Sequence, residues 1–276
     1  MEPYESPPVP SGPLVVRWLG YELPELRAGA RAEARVALEN AGSSAWQGGE
    51  RGTVRISYHW LDEMGNPIIW DGIRNRLKRP IEPGDRLELP LALRTPIPPG
   101  RYRLAVDLVD EGRCWFAELG NRPLELPVDV LPRLARRALA VRLTRPDEET
   151  ERALAAQLEP LASEDEAEAI AYLAPGCLPG PDWSRLVLDA HEEGYAVVAG
   201  SIDARLGPLR RRPPELAPWA PGAGRVPAFA RPLLCPSVVG GVDLDWEEPV
   251  RGLPAAARPR EEPWLYDGRI ELRVRL

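Results

Sequence analysis

Five side chains of this 276-residue sequence, His59, Trp70, Asp71, Arg74 and Trp115, have the types and spacing to hold a sugar ring. An indole face offers apolar contact to axial C–H groups, and neighbouring polar groups supply directional hydrogen bonds. Trp70 and Trp115 lie next to turns, where a side chain reaches solvent. Asp71, Arg74 and Asp107 are the polar neighbours. Tyr58 and Trp60 share the parity of Val54 and Ile56, so they are expected to plug a core. His59 has the opposite parity and is expected to face outward. The competing reading has both Trp70 and Trp115 covering the ends of a β-sandwich or a domain interface.

Other constellations are thinner. Asp243 and Asp245 alternate, so they share one side of a strand and could bind a cation; a solvated acidic loop is the plainer reading. His191 is followed by two Glu but has no second His at ligand spacing. Ser201 and Ser237 lack a nucleophile elbow. Cys177 has no His predicted beside it, and Gly240-Gly241 is too little for a phosphate loop. Arg210-Arg211-Arg212 lies among prolines and reads as a solvated loop. The three cysteines are far apart and unpaired by any CxxC spacing, and there are only two histidines. These counts argue against a thiolate zinc site, a His-rich metal centre and a disulfide framework. No complete catalytic constellation is visible, and no cofactor is expected.

The elements that must position these residues read as two regimes. From Leu14 to Leu131 the apolar period is two. Ala34, Val36 and Leu38 alternate with charged neighbours; Leu87, Leu89, Leu91 and Leu93 share a face; so do Tyr102, Leu104, Val106 and Leu108. Turn signals at residues 40–42, 64–67, 82–85, 98–100 and 111–112 separate about seven strands. Such spacing predicts an antiparallel β-sandwich of immunoglobulin type over residues 13–132, with Tyr102 placed like a tyrosine corner. Residues 1–12 are expected to be a flexible tail. Residues 131–137 read as a linker or domain junction, open to limited proteolysis near 132–137. Beyond it, over residues 137–276, the pattern becomes strand–helix alternation. Strands are expected at 138–143, 169–173 and 195–199. Helices are expected at 147–158 and from an Asp182 cap to Glu193, with Gly194 as its stop. This predicts a small α/β domain with parallel pairing. Residues 204–236 read as an extended loop, and Asp267-Gly268 as the turn of a terminal hairpin.

Composition narrows the partners. Lys78 is the single lysine, and the net charge is −7, which argues against a nucleic-acid backbone binder. The N-terminus has no basic segment or apolar stretch of a secretory signal, and no run is long enough to span a membrane. A cytoplasmic location is expected.

Two stretches resemble known families. The run from Arg35 to Trp46, with Asn40-Ala41-Gly42 and then Trp46, resembles the immunoglobulin-like domain of autophagy cargo receptors. The longer pattern, with SYHWLD, WDG, PPGRY and EGRCWF, is similar to bacterial accessory sandwiches found beside glycosyltransferases and methyltransferases of surface-polysaccharide pathways. This resemblance covers residues 14–131. It implies a glycan, or a glycan-assembly enzyme, as partner. Residues 166–203, with Ala169 to Trp183 at their centre, resemble the acidic-motif segment of inverting family 2 glycosyltransferases of GT-A fold. The departure there is that Ala174-Pro175-Gly176 stand where that family carries carboxylates for a metal–nucleotide complex. The implied reading is a degenerate, non-catalytic transferase-like fragment. The alternatives are an active sugar-nucleotide-dependent transferase that uses Asp243 and Asp245, and a protein-interaction scaffold with no sugar site.

Overall fold

The computed structural model describes residues 1–145, 147–173, 176–203, 233–247, 256–259 and 261–274. The chain is rich in β-structure, as the period-two pattern requires. In its first half the strands are β1 (Glu2–Pro3), β2 (Val16–Glu22), β3 (Arg31–Asn40), β4 (Val54–Leu61) and β5 (Pro67–Ile69). They continue as β6 (Asn75–Arg76), β7 (Arg86–Arg94), β8 (Gly100–Asp110), β9 (Cys114–Trp115) and β10 (Leu124–Val130), with a 3-10 turn over Phe116–Leu119. One antiparallel sheet runs β1-β2-β3-β7 and the other β10-β8-β4-β5, with β6 on β4 and β9 on β8.

The alternating apolar residues of both sheets meet in a single core. Trp18, Val36, Leu38, Ile56, Tyr58, Trp60, Leu91, Leu93 and Leu104 are among its buried members. Each such burial contributes about 1.5–3 kcal/mol. Tyr58 and Trp60 are core plugs, as their parity predicts. The Tyr102 hydroxyl donates to the Pro98 carbonyl at 2.6 Å, the corner geometry its position suggests. Asn40 is buried and ties its own turn together: its amide donates to Ser44 and Ile81 carbonyls, and its oxygen accepts from Gly42. Trp46 is buried, with its ring edge-on to Phe116. The tail expected over residues 1–12 is tied down where β1 pairs with β2 and Tyr4 N–H donates to Leu19.

The second half carries β11 (Leu139–Leu143), α1 (Glu148–Ala155), β12 (Ala169–Leu173), β13 (Cys177–Pro179) and α2 (Trp183–Glu193). Then come β14 (Val197–Asp203), β15 (Ser237–Val239), β16 (Leu244–Glu247), β17 (Ala256–Pro259) and β18 (Trp264–Val274). α2 forms because Trp183, Val187, Leu188, Ala190 and His191 fall on one face, and it packs that face into the core. Gly194 ends it, as expected. Asp182 stands at the cap position, but its carboxylate pairs with Arg185 at 3.3 Å rather than bonding the helix amides. α1 is capped by Asp147, which accepts from Thr150 N–H at 2.9 Å.

Several expectations for this half are corrected. The sheet order is β11-β12-β15-β14-β18-β13. β11 with β12 and β14 with β18 are parallel, whereas β15 and β13 pair antiparallel, so the layer is mixed. The strand expected at 195–199 starts two residues later, at Val197. Among the described residues no terminal hairpin forms: β18 runs on past Asp267, which pairs with Gly200, and Gly268 to Ile270 bulge out before Glu271 pairs with Ser201. The loop expected over 204–236 lies outside the described residues as far as residue 232, as does the arginine run at 210–212. Among the described residues, no helix is long and apolar enough to cross a membrane.

Residues 131–137 are held in place instead of forming a free linker. Leu134 is buried, and Arg137 pairs with Glu159, Asp189 and Glu192. Beside them the two halves meet at a buried ion cluster. Arg94, 1% exposed, and Arg133, 7% exposed, both face the Glu262 carboxylate, at 2.7 and 3.5 Å. Both guanidiniums also donate to the Gly29 carbonyl, and Arg133 donates to that of Gly194. The backbones touch here: a Cβ on Gly29 would lie 2.1 Å from the Gly194 carbonyl oxygen. Both glycines also have positive φ, of 65° and 125°.

Candidate functional site

The site forms on the outer face of β4 and β8, the face that period-two reasoning assigns to solvent. There Ser57, His59, Ala105 and Asp107 are all buried. Two segments cover them. β9 and the turn after it return along β8, and the loop after β5 folds back over β4. The second fold-back depends on Gly72, whose N–H donates to the Tyr58 carbonyl at 3.0 Å. A Cβ on Gly72 would stand 2.5 Å from that oxygen and 2.7 Å from the Tyr58 ring. Gly72→Ala is therefore expected to lift the loop and cost about 1–3 kcal/mol, read as a lowered denaturation midpoint together with increased exposure of Trp70 fluorescence to quencher.

The covering segments lay two indoles against His59. Trp70 stacks on the imidazole at 4.1 Å and 24°, and Trp115 leans on it at 4.3 Å and 57°. His59 Nδ1 donates to the Trp70 carbonyl, which fixes the tautomer and the loop together. Burial pushes the His59 pKa down, so the imidazole is a neutral backing for both rings. Trp70 keeps its outer surface: it is 52% exposed, whereas Trp115 is 9% exposed. His59 thus lies on the outer face, as its parity predicts, but the expectation that it and Trp115 reach solvent is corrected. Both lie beneath Trp70 because this sheet face is covered.

Arg74 organises the polar rim. Its Nη2 donates to Asp71 at 2.7 Å, its Nε to Glu111 at 2.9 Å, and its Nη1 to Ser57 at 3.0 Å and to the Gly72 carbonyl at 3.2 Å. The guanidinium lies 4.6 Å from the Trp115 ring centroid. This cation–π contact and four hydrogen-bond partners hold it in one pose. Asp71 and Glu111 remain exposed at 58% and 41% of their side-chain surface. Asp107 is fully buried opposite Ser57 in register and accepts from the Leu108 and Ala117 amides. Burial raises its pKa to about 7, with a smaller contribution from Glu118. Sequence reasoning missed Ser57, Gly72 and Glu111. The signal for Glu111 was its place in the turn just before Cys114-Trp115.

The second candidate group does not converge. Asp243 is exposed ahead of β16, and Asp245 stands within it, opposite Arg258 of β17. Among the described residues there is no group of three side chains suited to a metal ion. Ala174 and Pro175 lie outside the described residues. Gly176 donates to Asp147 Oδ2 at 2.9 Å, so the nearby carboxylate is occupied by the Gly176 amide and the α1 cap. In the core, His191 Nδ1 meets the Tyr195 carbonyl at 2.8 Å and Nε2 meets the Ser237 hydroxyl at 2.8 Å. Both side chains are buried, and the Ser–His pair satisfies two polar groups in the core.

No family model and no curated protein sequence matches the chain. Among solved structures it is similar to the C-terminal domain of wzt, with a TM-score of 0.32 and 10% identity over 47% of this chain and 81% of that one. It is also similar to a family 123 glycoside hydrolase from Clostridium perfringens, with a TM-score of 0.24 and 11% identity over 64% of this chain and 32% of that one. Overlaps of this extent carry no argument about fold or activity.

Proposed function

We propose that the chain is a carbohydrate-recognition or accessory protein that acts by binding, with Trp70 as its stacking platform. In this reading, residues 13–132 are an immunoglobulin-like sandwich that presents the site. Residues 137–276 are a reduced α/β domain docked against it. The observation that carries the proposal is the Trp70 ring: half-exposed, backed flat by a neutral imidazole, and bordered by carboxylates and a fixed guanidinium. A rigid exposed indole lowers the entropic cost of stacking, because the protein side of the contact is already ordered. Asp71 supplies hydrogen-bond acceptors at the rim. Arg74 positions Asp71, and His59 and Trp115 position Trp70. A role beside an enzyme of bacterial surface-glycan assembly is the context that the sequence resemblance implies.

The scaffold alternative has one observation in its favour. Met64, Ile68 and Trp70 are all exposed on the hairpin that carries β5. A glycan array probed with wild type and Trp70→Ala separates the two readings. We expect wild-type binding to weaken about tenfold or more in Trp70→Ala, with the melting temperature retained. An array with no binder would end the carbohydrate reading and leave the hairpin as a protein-docking surface.

A further inference from the structure

The charges around Trp70 select among sugars. Residues 61–73 contain Asp62, Glu63 and Asp71 and no basic residue. Arg74, the guanidinium bonded within the cluster, is matched by two carboxylates, Asp71 at 2.7 Å and Glu111 at 2.9 Å, which leaves the trio with a net negative charge. Its nitrogens are already directed to Asp71, Glu111, Ser57 and the Gly72 carbonyl, and its face lies over Trp115. An anionic sugar would therefore find the Arg74 guanidinium already engaged. Only one oxygen each of Asp71 and Glu111 is used by Arg74, and both side chains are exposed. Beneath the ring, His59 is neutral and adds no positive charge. The open face of Trp70 carries the negative quadrupole that attracts cations.

Resting on the carbohydrate reading above, we propose that this site takes an amine-bearing sugar: the pyranose stacks on Trp70 and its ammonium group faces the Asp71 and Glu111 carboxylates. A stacked ring and a charge-assisted hydrogen bond would then act on adjacent atoms of one residue of the glycan. An acetamide in place of the ammonium keeps the stacking and loses the charge. A uronate adds a charge of the wrong sign beside the Asp71 and Glu111 carboxylates.

The test is titration calorimetry of the full chain with short oligomers of glucosamine, N-acetylglucosamine, glucose and galacturonate. The expected result is glucosamine binding about tenfold tighter than its acetylated twin, with galacturonate weakest. The preference should shrink with added salt and in Asp71→Asn or Glu111→Gln. Equal or tighter binding of the acetylated or acidic oligomer would overturn the charge selection while leaving the carbohydrate reading intact. Failure of every oligomer to bind would overturn both. A glucosamine preference that survives in both folded variants would place the ammonium elsewhere and overturn this assignment. The wild-type series alone decides the charge preference if either variant fails to fold.

Discussion

Glu262→Ala is expected to destabilise the protein by about 3–5 kcal/mol, the range for removing one partner from a buried ion pair. Its carboxylate faces both Arg94 and Arg133, and both arginines are almost fully buried. Without it, two buried guanidiniums lose the carboxylate that faces them both across the junction. Burial and the proximity of Arg94 already depress the Arg133 pKa with Glu262 present. Arg94 also carries the stress inward. Its amide donates to the Tyr58 hydroxyl at 2.8 Å, and its carbonyl accepts from the Trp60 indole at 2.8 Å, so its main chain is fastened to the central core rings. Chemical denaturation and limited proteolysis read the effect together: the wild type should resist cleavage at 132–137, and Glu262→Ala should become cleavable there. Wild-type cleavage at those residues, or a variant as stable as the wild type, would contradict the docked junction.

The second large effect is a balance between two buried groups that titrate in opposite senses. Burial lowers the His191 pKa from 6.5 to about 4. The folded state refuses a proton that the unfolded chain accepts. The stability tied to His191 is therefore present above pH 6.5 and lost as pH falls toward 4, by about 3 kcal/mol. Burial raises the Asp107 pKa from 3.8 to about 7. Here the folded state keeps a proton that the unfolded chain releases. That contribution is full below pH 3.8 and lost as pH rises through 7, by about 4 kcal/mol. Between pH 4.5 and 6.5 the two slopes oppose each other and largely offset, and His59, whose pKa burial also lowers, adds a loss on the acid side. The carboxylates with depressed pKa values, such as Asp85 and Asp147, act below this window. Asp107→Asn should unmask His191 and lose stability on acidification. His191→Gln should unmask Asp107 and gain it. Denaturant midpoints at pH 4.5, 5.5 and 6.5 measure all three slopes; parallel slopes would contradict the assignment of the balance to these residues.

Much of the core was legible because a single strand face carries its own signature. Val54, Ile56, Tyr58 and Trp60 are buried as their parity requires, and Ala34, Val36 and Leu38 pair in register with Leu91, Leu89 and Leu87. α2 was legible because six of its side chains are buried at helical spacing and a glycine stops it. Parity failed on the other face of β4. Ser57 and His59 are polar, so the pattern marks them as solvated, yet a non-local fold-back covers them. Nothing within the strand encodes that cover; it depends on Gly72 lying against Tyr58 and on β9 returning along β8. The final strand failed for a related reason. Asp267-Gly268 is a good turn sequence, but β14 pairs with Asp267 and again with Glu271, so Gly268 to Ile270 bulge and the chain keeps its direction. The candidate site was half visible: Trp70, Asp71, Arg74 and Trp115 do converge, while the roles within the group, one exposed ring and three supports, follow from coverage that only the fold supplies.

The most direct test of the platform is an NMR titration that follows the indole N–H signals of the nine tryptophans. Glucosamine and N-acetylglucosamine oligomers serve as probes. The account predicts that the Trp70 signal moves first and furthest, that Trp115 follows weakly through the stack, and that buried Trp18, Trp46 and Trp60 stay in place. A titration in which Trp70 is silent while another tryptophan, such as the exposed Trp246, responds would contradict it.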